Sequence, residues 1–265
     1  MPSLVSPEEF CRTYRPGTKD DTDAWDLVRQ YRKAMTASLE LRGGDGERAG
    51  SQAVSSHLDL PRSRVRTWVD NDGKPDAKRG LDRARKFGWI DVEITSTTFE
   101  GLNTFVAQTF AGGGIESKDH DPGFALPNDE IERRLKAAAE KAGFDYRIER
   151  RRGRADELRA SPGGTILGRV LIVLGAPVGR KTQADIALPN YLDDAPQDIR
   201  LEFAKTYVLN RAAEHDGKDT LTIIEDRPQS YRDELAAFLE QTIGERVTSG
   251  KQNVTLSADA ARAIV

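Results

Sequence analysis

The sequence is poor in the residues that most often carry chemistry. Cys11 is its only cysteine, so no disulfide can form within the chain, and a cytoplasmic location is expected. The three histidines, His57, His120 and His215, lie far apart and make no zinc cluster of usual spacing with a single cysteine. No Ser/His/Asp order stands out. "GGDGERAG" (43–50) is rich in glycine but lacks the Gly-Lys-Ser/Thr ending that grips phosphate, and reads as a flexible turn between helices. No apolar run approaches the roughly 20 residues that span a bilayer. "MPSLVSPEEF" also lacks the basic and apolar regions of a signal peptide, so no membrane partner is expected.

What the chain does have is charge. Of its 265 residues 31% are charged and 37% hydrophobic, enough for one or two domains with buried cores. The net charge of −3 argues neither for nor against nucleic acid, so the placement of positive charge decides the partner. Arginine outnumbers lysine and aspartate is plentiful, as in an archaeal or bacterial protein from a GC-rich or salt-loving host.

Residues 1–22 read as a lead-in segment with a short helix from "SPEEF". Asp23 is placed to cap the next helix, whose Trp25, Val28, Tyr31, Met35 and Leu39 recur at helical spacing. Two short helices follow in "SQAVSSHLDLPRSRVRTWVDN" (51–71). Ser51 is expected to cap the first, which ends at Leu58. "LDLP" makes the turn. The second opens at Ser63, or earlier with Pro61 in its first turn, and ends at Val69. Val54, Leu58, Val65 and Trp68 share a core, which leaves Arg62, Arg64, Arg66 and Thr67 facing out. This is a helix-turn-helix pattern, in which the second helix enters the DNA major groove and arginines reach guanine edges or phosphates. The stretch 72–90 adds Lys74, Lys78, Arg79, Arg83, Arg85 and Lys86. The candidate DNA contacts of an all-α domain over 23–92 are therefore Ser51, Gln52, Arg62, Ser63, Arg64, Arg66, Thr67 and Lys74. The alternative is an ordinary helical hairpin with a solvated basic face.

From residue 91 the texture changes. "DVEITSTTFEG" reads as a connector. "TFVAQTFAGGGI" (104–115) reads as a buried helix ending in three glycines, and "IESKDHDPGFALP" as a hairpin. "NDEIERRLKAAAEKAG" is an amphipathic helix capped by Asn128 or Asp129 and stopped at Gly143. "FDYRIERRR" (144–152) alternates like a strand with Arg147 and Arg151 on one face. "GRADELRASPGG" is a loop or hairpin and "TILGRVLIVLG" a buried strand. A similar order follows: a helix over 196–214, a strand in "DTLTIIED", a helix in "SYRDELAAFLEQTIGE", two short strands around Gly250 and a closing helix. Lys251 and Asn253 alternate against Val254 and Leu256. The order of elements implies a duplicated helix–strand–strand–helix–strand–strand unit, with repeats over about 100–195 and 196–265.

"VLGAPVGRKTQADIALPNYLDDAPQDIRLEFAKTYVLNRAAE" (173–214) resembles the middle of LAGLIDADG homing endonucleases, and "FVAQTFAGGG" (105–114) then resembles their first signature helix. A helix-turn-helix joined to such a core is also similar to bacterial sporulation regulators of the WhiA type, which carry the two modules in the opposite order. The resemblance implies an α+β fold: an N-terminal all-α domain, then a duplicated αββαββα core over 93–265 whose antiparallel sheets form a saddle over DNA. Two signature helices would pack along a pseudo-twofold axis through Ala107, Ala111, Ala204 and Thr206. In active members each helix ends in an acid that holds divalent metal at the scissile phosphate. Here those positions fall on Gly112 (or Gly113) and Arg211 (or Asn210), so no catalytic residue, no metal and no cofactor are expected. Glu116 and Glu214 are the candidate substitutes in the alternative of an active endonuclease. The expected protein is a sequence-specific DNA-binding regulator on a nuclease scaffold without nuclease chemistry, associated with the nucleoid. Arg147, Arg151, Lys251 and Asn253 would line the saddle, and the core is available for a homodimer or a protein partner.

Overall fold

Ser6 opens the first of two units. Its hydroxyl accepts from the Glu9 N–H while the Glu9 carboxylate accepts from the Ser6 N–H, a reciprocal cap that starts helix α1 (Pro7–Arg12). Asp23 caps α2 (Ala24–Glu40) as the sequence predicts, accepting from the Asp26 N–H at 2.7 Å. Three shorter helices follow, α3 (Ser51–Leu58), α4 (Arg62–Val69) and α5 (Asp76–Lys86). Leu27, Tyr31, Ala34 and Ala37 of α2 share a core with Val54, Val65 and Trp68, and Tyr31 meets Trp68 edge to face at 5.8 Å. Small alanines hold the core side at the end of α2, so Leu39, expected inside, is exposed.

The structure is a computed structural model that describes residues 3–15, 22–41, 48–179, 186–215 and 217–264, without the side chains of Glu214, His215 and Lys218. Most of the glycine-rich stretch 43–50 and of the "GRKTQ" segment 179–183 lies outside the described residues. Ser6–Lys86 form one unit, and Met1–Val5 with Phe87–Val265 the other. The expected lead-in therefore divides: α1 packs with α2 and α5. Residues 87–92, placed with the helical domain by sequence, join the second unit, where the Trp89 indole donates to the Ala142 carbonyl at 2.7 Å.

Ser96 caps the helix that organises that unit, α6 (Thr97–Ala111). It is followed by β1 (Gly113–Ile115), β2 (Pro122–Leu126), α7 (Asp129–Ala142), β3 (Tyr146–Glu149), β4 (Asp156–Ala160) and α8 (Gly164–Val173). After a one-turn 3-10 segment (Asn190–Leu192) come α9 (Gln197–Arg211), β5 (Ala212–His215), β6 (Lys218–Ile224), α10 (Gln229–Ile243), β7 (Val247–Ser249), β8 (Asn253–Leu256) and α11 (Ala258–Ile264). The order helix–strand–strand–helix–strand–strand–helix thus occurs twice. Each half forms a four-stranded antiparallel sheet of the same strand order, β1-β2-β4-β3 and β5-β6-β8-β7. The fold is α+β, and among the described residues no helix is long and apolar enough to cross a membrane.

Three sequence expectations fail here. "TILGRVLIVLG" is the helix α8, not a strand: an unbroken apolar run carries no period, so its packing against β2 and β4 decides its form. "GRADELRA" contributes the inner strand β4. The second long helix stops at Arg211 rather than 214, because Ala212 turns to extended backbone (φ −75°, ψ 139°) and starts β5.

α6 is buried almost throughout, between α7 and α9. Gly101 permits the approach to α7, since a Cβ there would lie 2.5 Å from the Ala138 carbonyl oxygen. In the first sheet Phe124, Leu126, Leu158 and Ala160 are buried, and Gly123, Ala125, Arg147, Glu149, Glu157 and Arg159 take the opposite face by register. In the second, Leu221, Ile223, Val254 and Leu256 are buried, while Thr222, Ile224, Asn253 and Thr255 alternate to the other side.

Candidate nucleic-acid interface

The turn between α3 and α4 is built by local chemistry. Asp59 ends α3 in the left-handed region (φ 51°), a conformation its short polar side chain tolerates. The Ser55 carbonyl accepts from the Leu60 N–H at 3.2 Å while the Ser55 hydroxyl donates to the Leu60 carbonyl at 2.7 Å. With Val65 and Trp68 in the core, α4 presents Arg62, Ser63, Arg66 and Thr67 to solvent, Arg62 above Arg66 and Ser63 above Thr67 on successive turns. Gln52 and Lys74 are exposed as well.

Two of the expected contacts are placed otherwise. Ser51 is buried and is the first residue of α3, not its cap. Its N–H (3.0 Å) and hydroxyl (2.6 Å) both donate to the Asp70 carboxylate at the end of α4. An acid from the partner helix therefore caps α3, and these two bonds, with Arg66 and Arg62 nearby, hold the Asp70 carboxyl below its usual range. Arg64 is half-buried, and its Nη1 donates to Gln30 Oε1 of α2 at 2.7 Å. The arginines in this segment therefore divide: Arg62 and Arg66 face solvent, and Arg64 ties α4 to α2.

The open face of the first sheet is not the basic surface that alternation in "FDYRIERRR" suggests. Arg159, nearly buried, donates to Asp121 (2.8 Å), Glu157 (3.1 Å) and Glu116 (3.4 Å), and a Glu149 oxygen lies 3.1 Å from its Nε without making a hydrogen bond. Arg147 donates to Glu149 at 2.7 Å, which is the main cause holding that carboxyl below its usual range. Arg151 pairs with Glu157 at 3.0 Å. Burial opposes the charge on Arg159, yet the bond to Asp121 and the charges of Glu157 and Glu149 raise its pKa. Three arginines thus face four acids around a groove of about 660 Å³ beside Gly112, Gly113 and Gly114. The signal that would have revealed this is Glu157 and Arg159 in alternation, legible only once "DELRA" is recognised as a strand. The second sheet's open face is threonine-rich, with Lys251 exposed beyond it.

α6 and α9 pack side by side, and polar rungs join them in addition to the expected small residues. Asn103 donates to the Ile199 carbonyl at 2.9 Å, and Thr104 donates to Glu202 at 3.2 Å. Gln108 and Asn210 form a reciprocal amide pair (3.1 and 2.6 Å) at the ends of the two helices. A Cβ at Gly112 would lie 2.7 Å from Asn210 Oδ1 and 3.0 Å from Gln108 Nε2. Gly112 has φ −126°, so glycine is required there for space and not for a left-handed turn. Gly113 and Gly114 already belong to β1.

At the end of α9 a buried ion network takes the place of a carboxylate. Arg211 donates to the Ile224 carbonyl at 2.7 Å and lies 3.7 Å from Glu225. Arg227 donates to Glu225 (3.2 Å), to the Tyr207 hydroxyl (2.8 Å) and to the carbonyl of Phe110 in α6 (2.5 Å). The Tyr207 hydroxyl donates to Glu225 at 2.6 Å. Burial pushes the Tyr207 and Tyr231 hydroxyls well up from their usual range. The residues at the helix ends do not fit a divalent cation, which needs oxygen ligands, mostly carboxylates. Gly112 has none, Arg211 is itself a cation, and Glu116 is paired with Arg159. The Glu214 side chain lies outside the described residues. Among the described residues no three His, Cys, Asp or Glu side chains are grouped to hold a metal.

No protein-family model matches the sequence, and no curated protein matches it. Solved structures give distant likenesses. Full-length DUF199/WhiA from Thermatoga maritima is 12% identical, with 68% of this chain and 59% of that one covered and a TM-score of 0.43. This chain therefore spans less than two thirds of that protein's length. The homing endonuclease I-WcaI bound to its DNA recognition sequence is 8% identical over 69% of this chain and 84% of that one, with a TM-score of 0.46. I-DmoI in complex with DNA and Mn is 10% identical over 62% and 93%, with a TM-score of 0.41. At such scores these likenesses carry nothing about the chemistry of this chain.

Proposed function

We propose that this protein is a sequence-specific duplex-DNA-binding protein, a transcriptional regulator, that reads DNA through a helix-turn-helix formed by α3 and α4. The observation that supports the reading is the α3–α4 pair itself: a left-handed Asp59 turn, a shared core, and a second helix that turns Arg62, Ser63, Arg66 and Thr67 to solvent. Gln52 and Lys74 are exposed in the same unit and contact phosphate in this reading, and Ser51 and Arg64 act as braces. The second unit is a duplicated scaffold of the LAGLIDADG type without metal-dependent cutting. Glycine and a paired arginine at its helix ends favour this. Its balanced charge makes Arg147, Arg151, Lys251 and Asn253 a weak DNA surface at most, and leaves the core for assembly, as a homodimer or with a protein partner. The regulator acts at the nucleoid, in the cytoplasm.

The test is a gel-shift series on genomic fragments across 50–200 mM salt. Binding should weaken steeply with salt. Arg62→Ala and Arg66→Ala should each weaken it about tenfold, as expected for loss of a specific contact of roughly 1–3 kcal/mol. Absence of salt-sensitive binding to any fragment refutes the reading. A discrete double-strand cut with magnesium or manganese that Glu116→Gln or Glu214→Gln abolishes would replace it with an active endonuclease.

A further inference from the structure

The helical unit contains a cavity of about 650 Å³ that DNA reading does not use. Its apolar surface comes from Leu27, Trp68 and Ala77, all buried. Arg15, Arg64 and Lys74 also line it, each on a different segment. The one acid in its lining, Asp76, is ion-paired with Arg79, which is not in the lining. The recognition helix supplies one wall through Ser63, Arg64 and Thr67. A duplex cannot enter so small a concavity. The volume lies within the range of sites for small molecules, which combine an apolar lining with a few convergent polar groups. Positive charge from three segments over an apolar floor selects an anion with an apolar body, and the cavity has room for two fused rings or an equivalent chain.

We infer that this cavity binds a small amphipathic carboxylate and that its occupancy changes the DNA affinity of α4, the second half resting on the function proposed above. The carboxylate meets Arg15, Arg64 and Lys74, and the apolar body lies against Leu27 and Trp68. An occupant that draws Arg64 away from Gln30 loosens the tie between α4 and α2, and a bulky one displaces Ser63 and Thr67. Either effect is a differential contact between two states of the reading helix, which is what ligand control requires.

The experiment is isothermal titration of the full chain, without DNA, with 2-naphthoate and its uncharged analogue 2-naphthamide. Naphthoate should bind about tenfold more tightly, the difference expected for a charge-assisted contact. Lys74→Ala, at an exposed position, and Ser63→Phe, which fills the mouth, should each weaken binding severalfold with unchanged circular dichroism. Arg64→Ala should do the same, and if it unfolds, the other two variants decide. Equal affinity for acid and amide, no heat at millimolar probe, or indifference to Ser63→Phe overturns the site. A gel shift with and without naphthoate tests the second half. Binding in the calorimeter with unchanged DNA retention overturns the coupling and keeps the pocket. DNA binding absent under all conditions refutes the function and leaves the titration standing.

Discussion

Arg227→Met is the most direct test of how the second unit is held together. The guanidinium is 4% exposed and joins three elements: Glu225 after β6, Tyr207 of α9 and the Phe110 carbonyl of α6. It also lies over the Tyr231 ring at 4.8 Å from the centroid. Removing it leaves the Glu225 carboxylate, 2% exposed, with the Tyr207 hydroxyl at 2.6 Å and Arg211 at the longer distance of 3.7 Å. Methionine fills part of the volume but supplies no charge. Breaking one partner of a buried pair costs about 3–5 kcal/mol, because the remaining ion is buried without compensation. At about 2–4 °C per kcal/mol for a unit of this size, the melting temperature should fall by roughly 6–20 °C. Urea unfolding followed by circular dichroism gives the free energy directly. The double variant Arg227→Met/Glu225→Gln should recover part of the loss, because it removes the stranded charge. A loss under about 1 kcal/mol for Arg227→Met, the range of an exposed ion pair, would refute the reasoning, as would a double variant no better than the sum of the singles.

Gly112→Ala should destabilise by about 1–3 kcal/mol, since its Cβ collides with the Gln108–Asn210 pair, whereas Gly114→Ala meets open space and should change little; equal melting temperatures for the two would refute the steric account. Asp70, held below its usual range by Ser51, adds stability that is present above the ordinary aspartate range near pH 4 and lost as pH falls through its lowered folded value. Hydrogen exchange of the α3 amides should therefore accelerate in acid, and Asp70→Asn should remove that pH dependence; an unchanged acid limb counts against the cap. Tyr191, Tyr207 and Tyr231 are pushed up by burial, so the unfolded chain releases their protons first and stability should fall as pH rises above about 10. Their tyrosinate absorbance should appear only with unfolding, and its appearance in the folded protein would show that water reaches them.

Where a short-range signal exists, the sequence reading and the structure agree. The caps at Asp23 and Asn128, the left-handed Gly143 that stops α7, and the alternation of β8 rest on neighbouring residues. The Asp59 turn and the basic, solvent-facing residues of α4 were legible for the same reason. "TILGRVLIVLG" was misread because a run that is apolar on every side has no period to read. Ser51 was misplaced because its partner is Asp70, on the next helix, and Arg64 because its partner is Gln30, on the preceding one.

The sequence by itself therefore determined the inventory: which segments form helices and strands wherever their period is local, that the element order repeats, and that neither signature helix ends in an acid. Only the tertiary structure decided what those residues do. It brought Glu116, Asp121, Glu149 and Glu157 around Arg159, so a strand that reads as basic faces solvent with its charge balanced. It set Asn210 against Gln108 and Arg227 against Glu225 across the ends of α6 and α9. The physical reason is that electrostatic and steric complementarity depends on distances of about 3 Å between groups roughly a hundred residues apart in α6 and α9, and no local period encodes those distances.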